Sequence, residues 1–163
     1  MSKLCWILIS LSLTVTVTAV MGAERGALVV RAVEGKEVGL YAKSHALLVG
    51  VSEYANGWPR LPGVKDDLAA VEQALTQHGF EVRVVRDPAD KAALESAFED
   101  FVIEFGQEPQ NRLLFYFAGH GHTHKPYWAS NDKEQWTGYI VARDAPPPEQ
   151  HRAGFLRNAV SMK

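Results

Sequence analysis

The chain has 163 residues, of which 47% are hydrophobic and 22% charged, with a formal net charge of −2. This length suits one domain with a real core, and 4 Trp, 5 Tyr and 7 Phe argue against disorder. The near-zero charge argues against nucleic-acid binding, because phosphates are neutralised by a basic field. The single cysteine, Cys5, excludes a disulfide framework and a cysteine-based metal site.

Residues 1–23 have the pattern of a secretory signal peptide. Lys3 precedes an uncharged stretch, Leu4–Ala23, with small residues at its end. Cleavage after Ala19 and cleavage after Ala23 both fit this pattern. The alternative is an uncleaved anchor, since about twenty apolar residues can cross a bilayer. We expect an exported chain, periplasmic or secreted, that touches a membrane only through this segment if it is kept.

The chain from residue 24 onwards alternates between apolar runs and amphipathic segments. Residues 24–43 predict a short lead-in strand or hairpin. The almost wholly apolar run that follows is typical of a strand buried on both faces. Apolar residues at helical spacing, each series followed by a glycine, predict two helices. The predicted order is strand His45–Val51, helix Val64–His78, strand Phe80–Val85, helix Asp87 to about Phe105, and strand Arg112–Ala118.

This alternation predicts an α/β fold in which parallel strands are joined by crossover helices. The pattern weakens after the third strong strand. There we expect a polar loop over about Gly119–Thr137, a short strand over Tyr139–Ala142, and a short helical piece near Phe155–Met162.

A histidine follows the third strong strand, where parallel sheets place their ligands. Gly119 and Gly121 flank His120, so the backbone can turn sharply and leave the imidazole uncovered. Such a histidine can move protons near neutral pH, and the adjacent N–H can approach a substrate oxygen. The plainer alternative is a turn that happens to contain histidine.

His120, His122 and His124 also form an H-x-H-x-H series, which on a strand would present three rings on one face for zinc or copper. The loop context favours solvated side chains for His122 and His124 instead, and we expect no metal site. His45 and His78 are expected to be structural, and His151 to lie in a polar loop.

Four segments resemble the caspase-like cysteine peptidases, which comprise caspases, metacaspases and bacterial relatives. FYFAGHG is similar to the strand that ends in the family's histidine, and ALLVGVSEY resembles the first core strand. LPGVKDD resembles the start of the first helix, and GYIVARDA a later strand. These segments are Phe115–Gly121, Ala46–Tyr54, Leu61–Asp67 and Gly138–Ala145. The resemblance covers about residues 44–163. It implies a caspase-like catalytic domain: a layered sandwich with a mostly parallel central sheet flanked by helices, incomplete at the C-terminus.

The resemblance implies a role for two residues in peptide-bond hydrolysis. His120 matches the general base and acid, and the N–H of Gly121 would form part of the oxyanion hole. The family's nucleophilic cysteine should follow a fourth strand in an Asp-x-Cys-x-Gly-like segment, and the chain stops at Lys163 before one. We therefore expect an inactive front part of an endopeptidase, truncated before its nucleophile, with no cofactor. The alternative is a non-catalytic exported module that binds peptides or partner proteins.

Substrate contacts are predicted from the same resemblance. Arg60 occupies a position where caspases carry an arginine for the aspartate of the substrate, and a guanidinium suits a carboxylate. Basic substrates would need acidic groups instead, for which Asp66, Asp67 and Asp144 are available. The first two also suit a helix N-terminus and the third a turn. Trp128 and Trp136 could line the cleft for a polypeptide substrate. A missing fourth strand would leave a sheet edge open to a completing chain.

Overall fold

A computed structural model describes residues 28–31, 37–124 and 136–162 of the chain. Eight strands and three helices lie in this part. The strands are β1 (Leu28–Arg31), β2 (Glu37–Tyr41), β3 (Lys43–Gly50), β4 (Glu81–Arg86), β5 (Asn111–Ala118), β6 (Gly121–His124), β7 (Thr137–Ile140) and β8 (Val160–Ser161). The helices are α1 (Val64–Gln77), α2 (Lys91–Phe105) and α3 (Pro148–Asn158).

The predicted lead-in strand or hairpin, residues 24–43, includes β1 and β2. Strands β1 and β2 pair antiparallel. The predicted signal peptide, residues 1–23, lies outside the described residues. Among the helices that the structure describes, none is long and apolar enough to cross a membrane.

The central sheet has the strand order β4-β3-β5, and both pairs are parallel. Strand β3 lies in the middle and is buried along almost its whole length, because a neighbour covers each edge and a helix covers each face. The structure therefore confirms an α/β fold with a parallel sheet flanked by helices, consistent with a caspase-like fold.

The two faces of β3 carry different clusters of the core. Ala46 and Leu48 pack with Val64 and Leu68 of α1. Alternate residues of the same strand, Leu47 and Val49, pack on the other face with α2, at Leu94 and Phe101. Because side chains alternate along a strand, one apolar run serves both helices. This arrangement places the carboxyl ends of the three parallel strands at one edge of the sheet.

The predicted polar loop over Gly119–Thr137 is wrong at both ends. Residues 121–124 form β6 and the last residue of the predicted loop begins β7, and the two strands pair antiparallel. The segment consists of a glycine, a threonine and two histidines and has no apolar alternation, so only pairing with β7 makes it a strand. The rest of the predicted loop, residues 125–135, lies outside the described residues. Strand β7 is also shifted towards the N-terminus relative to the predicted Tyr139–Ala142.

The last helix begins earlier and ends earlier than the sequence predicts. Helix α3 starts at Pro148, a position at which the missing N–H of proline costs no hydrogen bond. His151 lies inside this helix, not in a loop, at a break in its geometry (φ −152, ψ 79). The predicted helical end is a strand instead, because Val160 and Ser161 pair with β7.

Candidate active site

His120 lies between β5 and β6, beyond the carboxyl end of the parallel sheet. The loop that follows β3 holds it at two atoms. The backbone N–H of His120 donates to the Tyr54 hydroxyl oxygen at 2.7 Å. The ring Nε2 lies 2.9 Å from the carbonyl oxygen of Pro59. Both contacts come from residues more than fifty positions earlier in the chain.

The Pro59 contact decides which ring nitrogen of His120 carries the proton. A carbonyl oxygen only accepts hydrogen bonds, so Nε2 must be the donor. In the neutral ring, Nδ1 then keeps a lone pair and is the nitrogen that can take up a proton. In nucleophilic catalysis the base takes the proton of the nucleophile on one ring nitrogen, while a third group orients it at the other. The Pro59 carbonyl orients His120 in this way.

Two aromatic rings lie against the His120 imidazole. The ring of Tyr54 is tilted over it with centroids 4.8 Å apart, and the Trp58 indole lies at 5.0 Å. Burial raises the pKa of Tyr54 to about 12, so its phenol stays neutral near pH 7. The imidazole is thus half-buried and held on two sides by neutral groups.

The space around the two glycines beside His120 differs. A Cβ atom at Gly119 would lie 2.6 Å from the Phe117 ring and 2.8 Å from the Tyr54 hydroxyl. At Gly121 the nearest atom to such a Cβ would be the Tyr139 carbonyl oxygen, at 3.7 Å. Gly119 therefore allows close packing inside the molecule, whereas Gly121 leaves open space on the exposed side of the histidine.

The N–H of Gly121 is free of the strand ladder. Gly121 is opposite Ile140, and the adjacent bond runs from the N–H of Val141 to the carbonyl of His120 at 3.0 Å. In an antiparallel ladder this makes Gly121 and Ile140 a pair without mutual hydrogen bonds. The Gly121 N–H therefore points away from β7, towards a side of β6 where no described strand lies.

Arg60 lies in the same loop as Pro59, directly next to the residue that contacts His120. Its guanidinium forms an ion pair with Glu53 and is 73% exposed. The hydrogen bond and charge of Glu53 raise the pKa of Arg60 further above its usual value. A substrate carboxylate at this position would compete with Glu53, and the predicted role of Arg60 stays a prediction.

Asp144 contacts the loop after β3 from the other end of the chain. Its backbone carbonyl accepts a hydrogen bond from Asn56 Nδ2 at 2.6 Å. Oδ1 of its carboxylate is buried without a hydrogen-bond partner in the described structure. Asp66 and Asp67 lie in the first turn of α1, where negative charge stabilises the helix. The structure brings Asp144 to the same loop as Arg60, and its role in substrate binding stays a prediction.

His122 and His124 are half-buried on one face of β6, not solvated in a loop. The His122 ring packs edge-on against Phe155 of α3, with centroids 5.0 Å apart. Nε2 of His124 lies 2.9 Å from Nη2 of Arg152. In the part of the chain that the structure describes, no three His, Cys, Asp or Glu side chains come together in a group that could hold a metal ion. Trp136 is 55% exposed, and Trp128 lies outside the described residues.

His124 is expected to titrate below the usual range of histidine. Burial, the charge of Arg152 and the charge of His122 lower its pKa, in that order of size. The folded state disfavours protonation of His124, whereas the unfolded chain protonates it at the usual histidine pKa. The free energy of unfolding is therefore highest above that usual pKa and decreases as pH falls through it. An NMR titration of the ring in wild type and Arg152→Gln checks this. The variant should titrate at higher pH, and equal midpoints would contradict the assignment.

The sequence alone did not point to Tyr54, Trp58 and Pro59 as partners of His120. One signal was available for Tyr54, because it follows the carboxyl end of a buried parallel strand. Pro59 contributes only its main-chain carbonyl. Every residue type has such a carbonyl, so the sequence does not show which one contacts the histidine.

A scan against protein-family models matches residues 43–159 to the caspase domain. This match spans well over half of the chain. The chain belongs to the caspase domain family. The matched residues of this caspase domain include the three strands of the parallel sheet, His120 and Gly121. A search among curated proteins found no significant match.

Membership of the caspase domain family supports a resemblance to cysteine peptidases. The one cysteine of the chain, Cys5, lies before the matched residues. The caspase domain thus contains His120 and no thiol within residues 43–159.

Proposed function

We propose that this caspase domain is the histidine-bearing part of a cysteine endopeptidase. The observation that carries the proposal is the contact of His120 Nε2 with the Pro59 carbonyl at 2.9 Å. It fixes the ring and leaves Nδ1 as the base. The N–H of Gly121, which is not bonded to β7, lies one residue away and supports a role as oxyanion donor.

The reaction would run in two steps on a polypeptide substrate. His120 takes the thiol proton, the sulfur bonds to the scissile carbonyl carbon, and Gly121 donates its N–H to the resulting oxyanion. The C–N bond then breaks as His120 protonates the leaving amine. Water hydrolyses the thioester, with His120 as base, and returns the free thiol and the carboxylate product.

The nucleophile is not among residues 43–159, so we propose that these 163 residues alone hydrolyse no peptide bond. Without a thiolate, neither the covalent step nor the proton transfer that activates it takes place. The cysteine would come from a polypeptide segment beyond this sequence, either in the same chain or in a partner.

The free edge of β5 supports a place for that segment. No described strand pairs with β5 on the side opposite β3. Beside this edge lies an apolar cleft of about 430 Å³, in which Phe98 is 42% and Phe115 36% exposed. An added strand would satisfy the main-chain groups of β5 and bury these rings.

The alternative is an exported module that binds peptides or partner proteins without cleaving them. The absence of a thiol from residues 43–159 and the apolar cleft beside β5 fit this alternative as well as they fit the peptidase proposal.

We also propose export to the periplasm or the outside of the cell, which the uncharged stretch Leu4–Ala23 supports. The mass of the exported chain would show whether it begins after Ala19 or Ala23.

A peptide-library assay with the purified chain tests the proposal. We expect no thiol-dependent cleavage, and no change on His120→Ala. If the DNA that follows the codon of Lys163 encodes an Asp-x-Cys-x-Gly-like segment, in frame or shifted by one base, the extended protein should cleave peptides and lose activity with iodoacetamide. An extended protein that binds peptides but cleaves none would favour the binding module. Cleavage by the 163-residue chain that survives His120→Ala would overturn the peptidase proposal.

A further inference from the structure

The contacts that hold the ring and the backbone N–H of His120 come from one segment, residues 51–61, which we name the cradle loop, whereas the carbonyl of His120 accepts the N–H of Val141. The cradle loop joins β3 to the region before α1. The loop supplies the Tyr54 hydroxyl to the backbone N–H of His120, the Pro59 carbonyl to its Nε2, and the Trp58 ring to its face. The orientation of the histidine therefore depends on where this loop lies.

One carboxylate fixes the start of the cradle loop. Asp87, the residue after β4, accepts the N–H of Ser52 at 2.7 Å and the N–H of Glu53 at 3.0 Å on Oδ1. Its Oδ2 accepts the Ser52 hydroxyl at 3.0 Å. The Ser52 carbonyl in turn accepts the N–H of Leu61 at 3.0 Å, which joins the two ends of the loop. Asp87 thus binds the start of the loop directly, and Ser52 connects it to the end of the loop at Leu61.

The backbone of Asp87 is held in an unfavourable conformation. Its φ is +48°, the only positive φ of a non-glycine residue among the described residues. The N–H of Asp87 donates to the Gly50 carbonyl at 2.8 Å, so the bend turns the residue towards the end of β3. Such strain persists only where the surrounding contacts over-determine it.

The hydrogen bonds of Asp87 also favour the ionised form of its carboxyl. Burial raises the pKa of the carboxyl, but the hydrogen bonds from Glu53 and Ser52, with the charge of Lys65, outweigh it and leave the pKa below the usual value. The group therefore stays a carboxylate, with strong acceptors, throughout the neutral range.

We propose that Asp87 is a positioning residue for His120, which it orients by anchoring the cradle loop. Asp87 does not contact His120 itself. Its part in catalysis rests on the proposed function, whereas its hold on the ring is a property of this chain and can be measured without any peptide hydrolysis.

Nitrogen NMR of the histidine-labelled full chain tests the proposal, because ring shifts report which nitrogen is protonated. In wild type we expect the Nε2–H tautomer. In Asp87→Ala we expect a mixture of tautomers, and exchange of the His120 amide hydrogen about tenfold faster relative to the Leu47 amide in the core. Asp87→Asn keeps one acceptor oxygen and should stay close to wild type.

Asp90→Ala is the matched control. Asp90 also accepts a backbone N–H, that of Ala93 at 2.8 Å, but it caps α2 and does not touch the cradle loop. It should lower global stability without changing the His120 ring. Asp87→Gly serves if Asp87→Ala does not fold, since glycine adopts a positive φ without strain.

The proposal is overturned if Asp87→Ala or Asp87→Gly leaves the tautomer and the exchange ratio unchanged, or if Asp90→Ala alters them as much. A completed protein that cleaves no peptides while Asp87 still fixes the ring would refute the proposed function alone.

Discussion

Replacing His120 by alanine is expected to lower kcat/KM of the protein joined to its nucleophile-bearing segment by about 10²–10⁴-fold. The variant loses the Nδ1 base, while the fold keeps the Tyr54 hydroxyl on the backbone N–H of residue 120. Peptide hydrolysis near neutral pH measures the effect. The thiol should react more slowly with iodoacetamide in the variant, because no base assists its ionisation.

His122→Ala is the control for that experiment. The residue is also a half-buried histidine, two positions along. Its ring packs edge-on against Phe155 at 5.0 Å and meets the cradle loop only at the Trp58 ring, 6.4 Å away, without a hydrogen bond from Tyr54 or Pro59. Its activity should stay within a few-fold of wild type. An equal loss in both variants would mean that the region supports folding and that His120 has no special part in the chemistry.

Gly119→Ala is expected to destabilise the chain by about 1–3 kcal/mol, the usual cost of overpacking. The new Cβ would lie 2.8 Å from the Tyr54 hydroxyl, so the tyrosine must move away from the N–H of His120 that it accepts. The same change therefore disturbs both stability and the histidine. Urea unfolding followed by tryptophan fluorescence measures the first, and the amide shift of His120 the second.

Gly121→Ala is the matched variant on the other side of His120. The nearest atom to its Cβ is 3.7 Å away, so we expect stability within about 0.5 kcal/mol of wild type. In the completed protein it should still slow hydrolysis, because a methyl group fills the space beside the oxyanion donor. If Gly119→Ala and Gly121→Ala lowered the free energy of unfolding equally, close packing would not explain why position 119 is a glycine.

The parallel sheet could be predicted because its strands carry their own signal. The segment His45–Val51 is apolar at nearly every position, and a short run of this kind is typical of a strand covered on both faces. The helix spacing and the glycines that follow α1 and α2 gave their ends within one residue. These are local patterns, and local patterns are what a single sequence shows.

Elements whose existence depends on distant partners could not be predicted in the same way. Strand β6 is polar and forms because β7 pairs with it. Helix α2 begins at Lys91 and not at Asp87, where the sequence predicts its start. Asp90 caps the helix, while Asp87 bonds to residues 34 and 35 positions earlier.

The sequence by itself determined that this protein is an α/β domain with a histidine between two glycines at the end of an apolar strand, and no cysteine beside it. Only the tertiary structure decided what holds that histidine. The Tyr54 hydroxyl and the Pro59 carbonyl lie 66 and 61 positions from His120, and one of them is main chain. Contacts of this kind arise when the parallel strands bring their carboxyl ends together, which no local pattern of residues records.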